Sequence, residues 1–223
     1  MIDEVARPEC LSSKMNSEKI YSIIGQITSV YDFLASATGY KKSVEYFVSQ
    51  LPFSQDEPIK VLDAGCGTGL YSFAILEKYK NAKVTAFDLN EKLVEYVRNK
   101  AHNNTQDNRV RAFTADITGP LSGIENEKFN LIITAGVLEY VPHEETVRNL
   151  FRFLVPGGYF FNSPNRDSAW GRFVCKLYAC KPYLKSENIS VFEKNGFTLE
   201  KDIEVPKTPA ASFKEAHLFK RIM

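Results

Sequence analysis

Cysteine and histidine are scarce in this chain, at four and three residues of 223, and they do not cluster. Cys66 lies inside a glycine-rich motif. Cys10, Cys175 and Cys180 show no C-x-x-C spacing, and none has His102, His143 or His217 beside it. That argues against metal or disulfide chemistry and for reduced thiols. Cys175 and Cys180 are expected on different sides of a helix if their stretch is helical. Long apolar runs are missing as well. Residues 129–138 are among the longest, and they are strand-sized, far short of a membrane span. The first ten residues, MIDEVARPEC, carry Asp3 and Glu4 and lead into no apolar run, so no export signal is read and the cytoplasm is expected. Charge of one sign is also lacking. The formal net charge of +1 leaves out the domain-wide basic excess that marks nucleic-acid binding. There is no internal repeat and no low-complexity tract.

What is present suits one substantial hydrophobic core and is too short for two comfortable domains. Aromatic residues at 13% argue against a disordered chain. Residues 1–15 read as a frayed terminus, 17–50 as a helical extension of one or two helices divided near Gly39, and 59–223 as the core. Within the core, strands are expected at 59–63, 84–88, 110–114, 129–134 and 159–162, the third by its alternation, between amphipathic stretches. Leu70, Phe73 and Ala74 begin one helix; Leu93, Val94, Val97 and Ala101 mark a second. Val147, Leu150, Phe151 and Leu154 mark a third, with Pro156-Gly157-Gly158 as its stop. Residues 163–195 read as helical or irregular. Residues 197–205 and 216–222 read as an antiparallel strand pair at a sheet edge. The expectation is an α/β domain, a doubly wound and mostly parallel sheet.

The first strand ends in VLDAGCGTG, residues 61–69. Glycines let a backbone bend with positive φ and approach a ligand closely. In doubly wound sheets ligands lie beyond the carboxyl ends of the strands, where this loop would sit. The dinucleotide spacing G-x-G-x-x-G is not met, and no Gly-Lys-Ser/Thr ends the loop as in a phosphate-binding P-loop. What remains is Asp-x-Gly-x-Gly-x-Gly, with Asp63 at the entrance. A carboxylate there repels a pyrophosphate but suits a ligand carrying an ammonium and a sulfonium. Asp88 ends the second strand, where such folds place a carboxylate on ribose hydroxyls. Asp116, after the third strand, is placed to accept from an adenine amino group.

These residues resemble the class I S-adenosylmethionine-dependent methyltransferases, through VLDAGCGTG (61–69), FDLN (87–90), ADI (115–117), FNLIITAGVLEYVP (129–142) and LVPGGYFFNSPN (154–165). The flavour is that of quinone-biosynthesis and other small-molecule enzymes. The resemblance implies a seven-stranded sheet with its last strand antiparallel and S-adenosyl-L-methionine as cofactor. It implies that Asp63, Gly65, Cys66, Gly67, Thr68 and Gly69 line the methionine end. Asp88 would meet the ribose, Asp116 and Ile117 the adenine, and Leu89 would flank its ring. Ala135 and Gly136 would run beside the reactive methyl. Tyr31, in a Tyr31-Asp32 pair typical of the subgroup, and Tyr21 would cap the pocket. Where the subgroup often reads Leu-Glu-His this chain has Leu138-Glu139-Tyr140, so no role of that histidine carries over.

The expected reaction is methyl transfer to a small apolar, aromatic or lipid-like acceptor, without a metal. His143, after Val141-Pro142, is nominated as a general base; the competing reading is a helix N-terminal residue beside Glu144 and Glu145. Residues 165–185 combine Trp170, Phe173, Tyr178 and Tyr183 with Arg166, Arg172, Lys176, Lys181 and Lys185, against the single acid Asp167. That mixture suits an apolar acceptor with an anionic group, a weak membrane-surface contact, or a solvated helix face. The rivals are a protein or RNA methyltransferase and a non-catalytic cofactor-binding regulator. Oligomeric state is left open.

Overall fold

The computed structural model describes residues 39–177, 180, 182–206 and 211–222, without the side chains of 170, 174 and 177. Tyr21, Tyr31, Tyr178 and Lys181 lie outside the described residues. Gly39 is the N-cap of helix α1 (Tyr40–Ser49), so it opens the helix that the sequence placed beyond it. The chain then runs β1 (Lys60–Ala64), α2 (Leu70–Lys78), β2 (Lys83–Asp88), α3 (Glu91–Asn103), β3 (Val110–Thr114), β4 (Phe129–Ala135) and α4 (His143–Phe151). It continues through β5 (Leu154–Ser163), α5 (Ala169–Leu177), α6 (Lys185–Lys194), β6 (Phe197–Asp202) and β7 (His217–Arg221).

The seven strands form one sheet in the order β3-β2-β1-β4-β5-β7-β6. Strands β1 to β5 pair in parallel, and β7 inserts antiparallel between β5 and β6. Alternate residues of each central strand face opposite layers, as the period of two requires. Val61, Leu131, Ile133, Phe161 and Leu218 pack with α1, α2 and α3 residues such as Phe47, Ile75 and Val97. Leu62, Ile132, Phe160 and Phe219 pack with Val147, Leu150 and Phe192 from α4 and α6. Burial on both faces is why these strands read as unbroken apolar runs.

Two expectations are corrected. Pro156-Gly157-Gly158 does not stop a helix. Helix α4 ends at Phe151, and β5 already begins at Leu154. Phe129 pairs with Leu154 while Leu131 pairs with Tyr159, so 155–158 bulge out of the ladder between them. Proline has no N–H to give a ladder, and Gly157 takes φ +71°, so the run suits a bulge. The two thiols are the second case. Helix α5 ends at Leu177, and the Cys180 N–H donates back to the Cys175 carbonyl at 2.9 Å. The chain has left the helix, so the helical separation does not apply.

Candidate functional site

The sheet order reverses between β1 and β4, which are parallel neighbours whose following helices leave on opposite faces. A crevice opens at such a reversal, beyond the carboxyl ends of the strands. The glycine loop fills one side of it and the β4 exit the other. Gly65 takes φ +77°, and a Cβ on it would stand 2.5 Å from Val137 Cγ2, so only glycine lets the loop seat against the β4 exit. The Gly65 and Cys66 N–H groups both donate to the Phe87 carbonyl at 2.9 Å, tying the loop to the end of β2.

Asp63 is 3% exposed, and its Oδ2 accepts from Ser72 Oγ at 2.6 Å. Burial lifts its carboxyl to about 6, opposed by the Ser72 hydroxyl and N–H and helped by the charge of Asp88. Burying a carboxylate is costly unless a cation meets it. Gly67 takes φ +54°, and a Cβ there would meet nothing within 4 Å. The loop therefore leaves open space over its middle glycine. Thr68 is buried beside it with Oγ1 lacking a hydrogen-bond partner. Cys66 is buried as well, and burial pushes its thiol well up, so it stays protonated. An ammonium-bearing ligand over an open glycine, with an orphaned hydroxyl at hand, fits these three features together.

Asp88 does two things. Its Oδ2 accepts from the Gly67 N–H and its Oδ1 from the Asn90 N–H, both at 2.9 Å. A carboxylate has acceptor capacity beyond these two bonds, which a ribose hydroxyl can use. Burial raises this carboxyl, against three backbone N–H groups that lower it. Asp116 is exposed and caps its own turn, accepting from the Thr118 N–H and hydroxyl at 2.8 and 2.7 Å. Ile117 is buried, while Leu89 is 62% exposed at the rim. Ala135 ends β4 and Gly136 follows with φ +69°.

His143 is buried at the first turn of α4, its ring 4.4 Å from that of Tyr183 and edge-on to Phe192. Burial lowers its pKa to about 4, with Asn188 and Glu144 opposing the shift. It stays neutral at physiological pH. Asn188 belongs to a buried ladder running from Thr134 Oγ1 to Asn162 Oδ1 and from Asn162 Nδ2 to Asn188 Oδ1, each 3.0 Å. The basic rim expected over 165–185 is partly neutralised. Arg172 pairs with Asp167 at 2.6 Å, Arg166 with Glu215 at 3.9 Å, and Lys185 with Asp202. Two of those acids come from farther along the chain, Asp202 at the end of β6 and Glu215 just before β7, which a local charge count cannot include.

Four candidate residues were not singled out from sequence. Glu139 and Lys214 are each 6% exposed, and Asn165 is 5% exposed. Asn165 bridges to Lys214 through the backbone and donates its N–H to Glu139 Oε1 at 2.6 Å. Lys214 Nζ lies 3.0 Å from where a Cβ on Gly136 would stand. Tyr71, on α2, is also buried. An acid directly after an apolar strand exit was the available signal for Glu139.

Comparison with known proteins agrees with this architecture. Residues 61–158 match the family described as a methyltransferase domain. A mitochondrial 2-methoxy-6-polyprenyl-1,4-benzoquinol methylase of Caenorhabditis elegans is 26% identical over 147 residues, 63% of this chain and 50% of that protein. A ubiquinone biosynthesis O-methyltransferase of Coxiella burnetii is 32% identical over 48% of this chain and 44% of its own length. A tRNA N(3)-methylcytidine methyltransferase of Schizosaccharomyces pombe is 29% identical over 46% of this chain and 42% of its own. The chain thus spans about half the length of these curated relatives or less. Among solved structures, a geranyl diphosphate methyltransferase in complex with S-adenosylmethionine superposes with a TM-score of 0.66 at 15% identity. That match covers 82% of this chain and 84% of the other. Mitomycin 7-O-methyltransferase gives 0.69 at 15%, covering 90% and 60%. Residues 61–158 thus carry a methyltransferase-domain sequence, on a seven-stranded fold shared with these solved methyltransferases.

Proposed function

We propose that this chain transfers a methyl group from S-adenosyl-L-methionine to a small acceptor of apolar or aromatic character. The observation that carries the reading is the buried Asp63 carboxyl beside the open space over Gly67. In this reading Asp63 holds the amino group of the methionine moiety, Gly65, Cys66, Gly67, Thr68 and Gly69 line it, and Asp88 takes the ribose. Asp116, Ile117 and Leu89 receive the adenine. When bound, the cofactor supplies an electrophilic sulfonium methyl, so the protein's share is orientation and exclusion of water. Ala135 and Gly136 flank the acceptor side. His143, neutral and wedged against Tyr183, shapes a wall there; a pKa near 4 makes its imidazole a weak base.

Support for a small acceptor comes from the net charge of +1 and from the quinone-pathway names among the relatives. The tRNA-modifying relative motivates a second reading with an RNA acceptor. Labelled S-adenosylmethionine offered with phenols, amines, carboxylates, lipids and bulk tRNA separates them. Label in an organic-extractable product supports the first reading. Label in tRNA, with salt-dependent RNA binding, supports the second. Binding without transfer to any acceptor would point to a regulatory protein.

The ribose assignment has its own test. Asp88→Ala removes the carboxylate and also releases the Gly67 N–H. S-adenosylhomocysteine should bind about tenfold more weakly or worse by calorimetry, with the circular dichroism spectrum retained. Unchanged affinity would remove Asp88 from the ribose.

A further inference from the structure

One polar atom at the β4 exit is left unaccounted for by the cofactor reading. Glu139 follows β4 in a short 3-10 turn (Leu138–Tyr140), and its side chain turns inward. Its Oε1 is held by the Asn165 N–H at 2.6 Å. Its Oε2 is buried and has no hydrogen-bond partner. A buried carboxylate oxygen left without a donor is destabilising, and natural sites of this kind are filled by a ligand or water.

The surroundings say which kind of ligand. The charge of Glu139 reaches groups on three separate elements, contributing to raised pKa values at Tyr40 on α1, Cys175 on α5 and Tyr183 before α6. Burial is the larger cause at each. All three therefore remain neutral, and two of them are aromatic. The geometry also fixes the location. Asn165, which grips Oε1, bridges to Lys214, and Lys214 Nζ stands against Gly136 at the end of β4. Glu139 thus lies at the β4 exit, in the turn that follows Gly136 and beside the Asn165–Lys214 bridge.

We propose that Glu139 is an acceptor-binding residue whose Oε2 receives the hydrogen bond of a hydroxyl or amino group on the methyl acceptor. This rests on the methyltransferase reading above and deepens it by naming the acceptor class. Hydroxyl and amine acceptors are selected because they bring the donor that Oε2 lacks, which an ionised carboxylate does not carry. The side chain is fixed before the acceptor arrives, since Oε1 is anchored by a backbone N–H from β5's exit. Only the second oxygen is exchanged between an empty and a filled state.

The test uses the full chain loaded with S-adenosylhomocysteine and three matched aromatic probes: catechol, aniline and benzoate. Binding is followed by ligand-observed NMR, which requires no turnover. Wild type should bind catechol and aniline at least about tenfold more tightly than benzoate. In Glu139→Gln the amide oxygen takes over the Asn165 N–H, which places an NH2 donor where Oε2 was. The preference should then reverse, with catechol weakened about tenfold and benzoate gaining. A merely structural role would not invert selectivity. Equal binding of the three probes by wild type, or of none of them, overturns the proposal without any variant. So does a Glu139→Gln chain that keeps the wild-type order. Failure of wild type to bind S-adenosylhomocysteine by calorimetry is a separate result, and it strikes the underlying methyltransferase reading instead.

Discussion

Asp63→Asn is expected to weaken S-adenosylhomocysteine binding by about 10- to 100-fold while leaving the free chain at least as stable as wild type. The two effects have opposite signs because one group causes both. In the free chain the Asp63 carboxyl is buried and lifted to about 6 from the ordinary 3.8. A raised folded-state pKa means that the native chain holds more protons than the unfolded chain between about pH 4 and 6. Stability supplied by the protonated form is present below that window and is lost as pH rises through it. A shift of this size corresponds to about 3 kcal/mol, which Asn would not forfeit at neutral pH. Asn also keeps an oxygen for the Ser72 hydroxyl, now bonded at 2.6 Å. With ligand the balance reverses, because a hydrogen bond to an ionised group contributes about 1.5–3 kcal/mol. The same linkage predicts that wild-type affinity falls as pH drops through about 6, since a proton and the ligand's ammonium compete for one carboxyl. Binding near pH 6 should release protons, read as a dependence of calorimetric enthalpy on buffer ionisation heat. A pH-independent affinity between 5 and 8, or a destabilised Asp63→Asn chain with normal binding, would contradict the assignment.

Gly67→Ala is expected to abolish measurable cofactor binding at a modest cost in stability. Its φ of +54° costs an alanine about 1–2 kcal/mol. Yet the added methyl group meets nothing within 4 Å of protein. The space it enters is the space assigned to the methionine moiety, so a drop in affinity of about 100-fold or more is expected. Gly65→Ala makes the contrast. There the methyl would stand 2.5 Å from Val137, so thermal stability should fall along with binding. Comparing melting temperature with S-adenosylhomocysteine affinity separates the two glycines. If Gly67→Ala binds normally, the cradle is not where the ligand lies.

The parts of the fold legible in the sequence were those fixed by local periodicity. Val110 to Thr114 alternates and is a strand over those same residues. The short apolar run expected at 59–63 is strand β1, Lys60–Ala64, buried from Val61 onward. Pro156-Gly157-Gly158 misled because a helix stop and a strand bulge draw on the same residues. Only the pairing of Phe129 and Leu131 with β5 distinguishes them.

The site divides in the same way. Asp63, the three loop glycines and Asp88 lie at successive strand ends, so local pattern and topology sufficed to bring them together. The acceptor side is assembled from distant chain. Glu139 is held by Asn165 from β5's exit, and Lys214 reaches Gly136 from just before β7. No sequence-local pattern records those approaches. His143 shows the limit from the other direction. Its position in the sequence suggested a base, while its burial against Tyr183 and Phe192 is a property of packing alone. The basic stretch at 165–185 likewise lost part of its apparent excess once Glu215 and Asp202 folded onto Arg166 and Lys185.

The central claim is that the crevice between the Asp63 loop and the β4 exit is built for S-adenosylmethionine. Calorimetric titration of the wild-type chain at neutral pH with S-adenosylmethionine, and separately with NAD, tests it most directly. The structure predicts saturable one-to-one binding of S-adenosylmethionine, displaced by S-adenosylhomocysteine, and no binding of NAD. Absence of S-adenosylmethionine binding, or preferential binding of the dinucleotide, would contradict it.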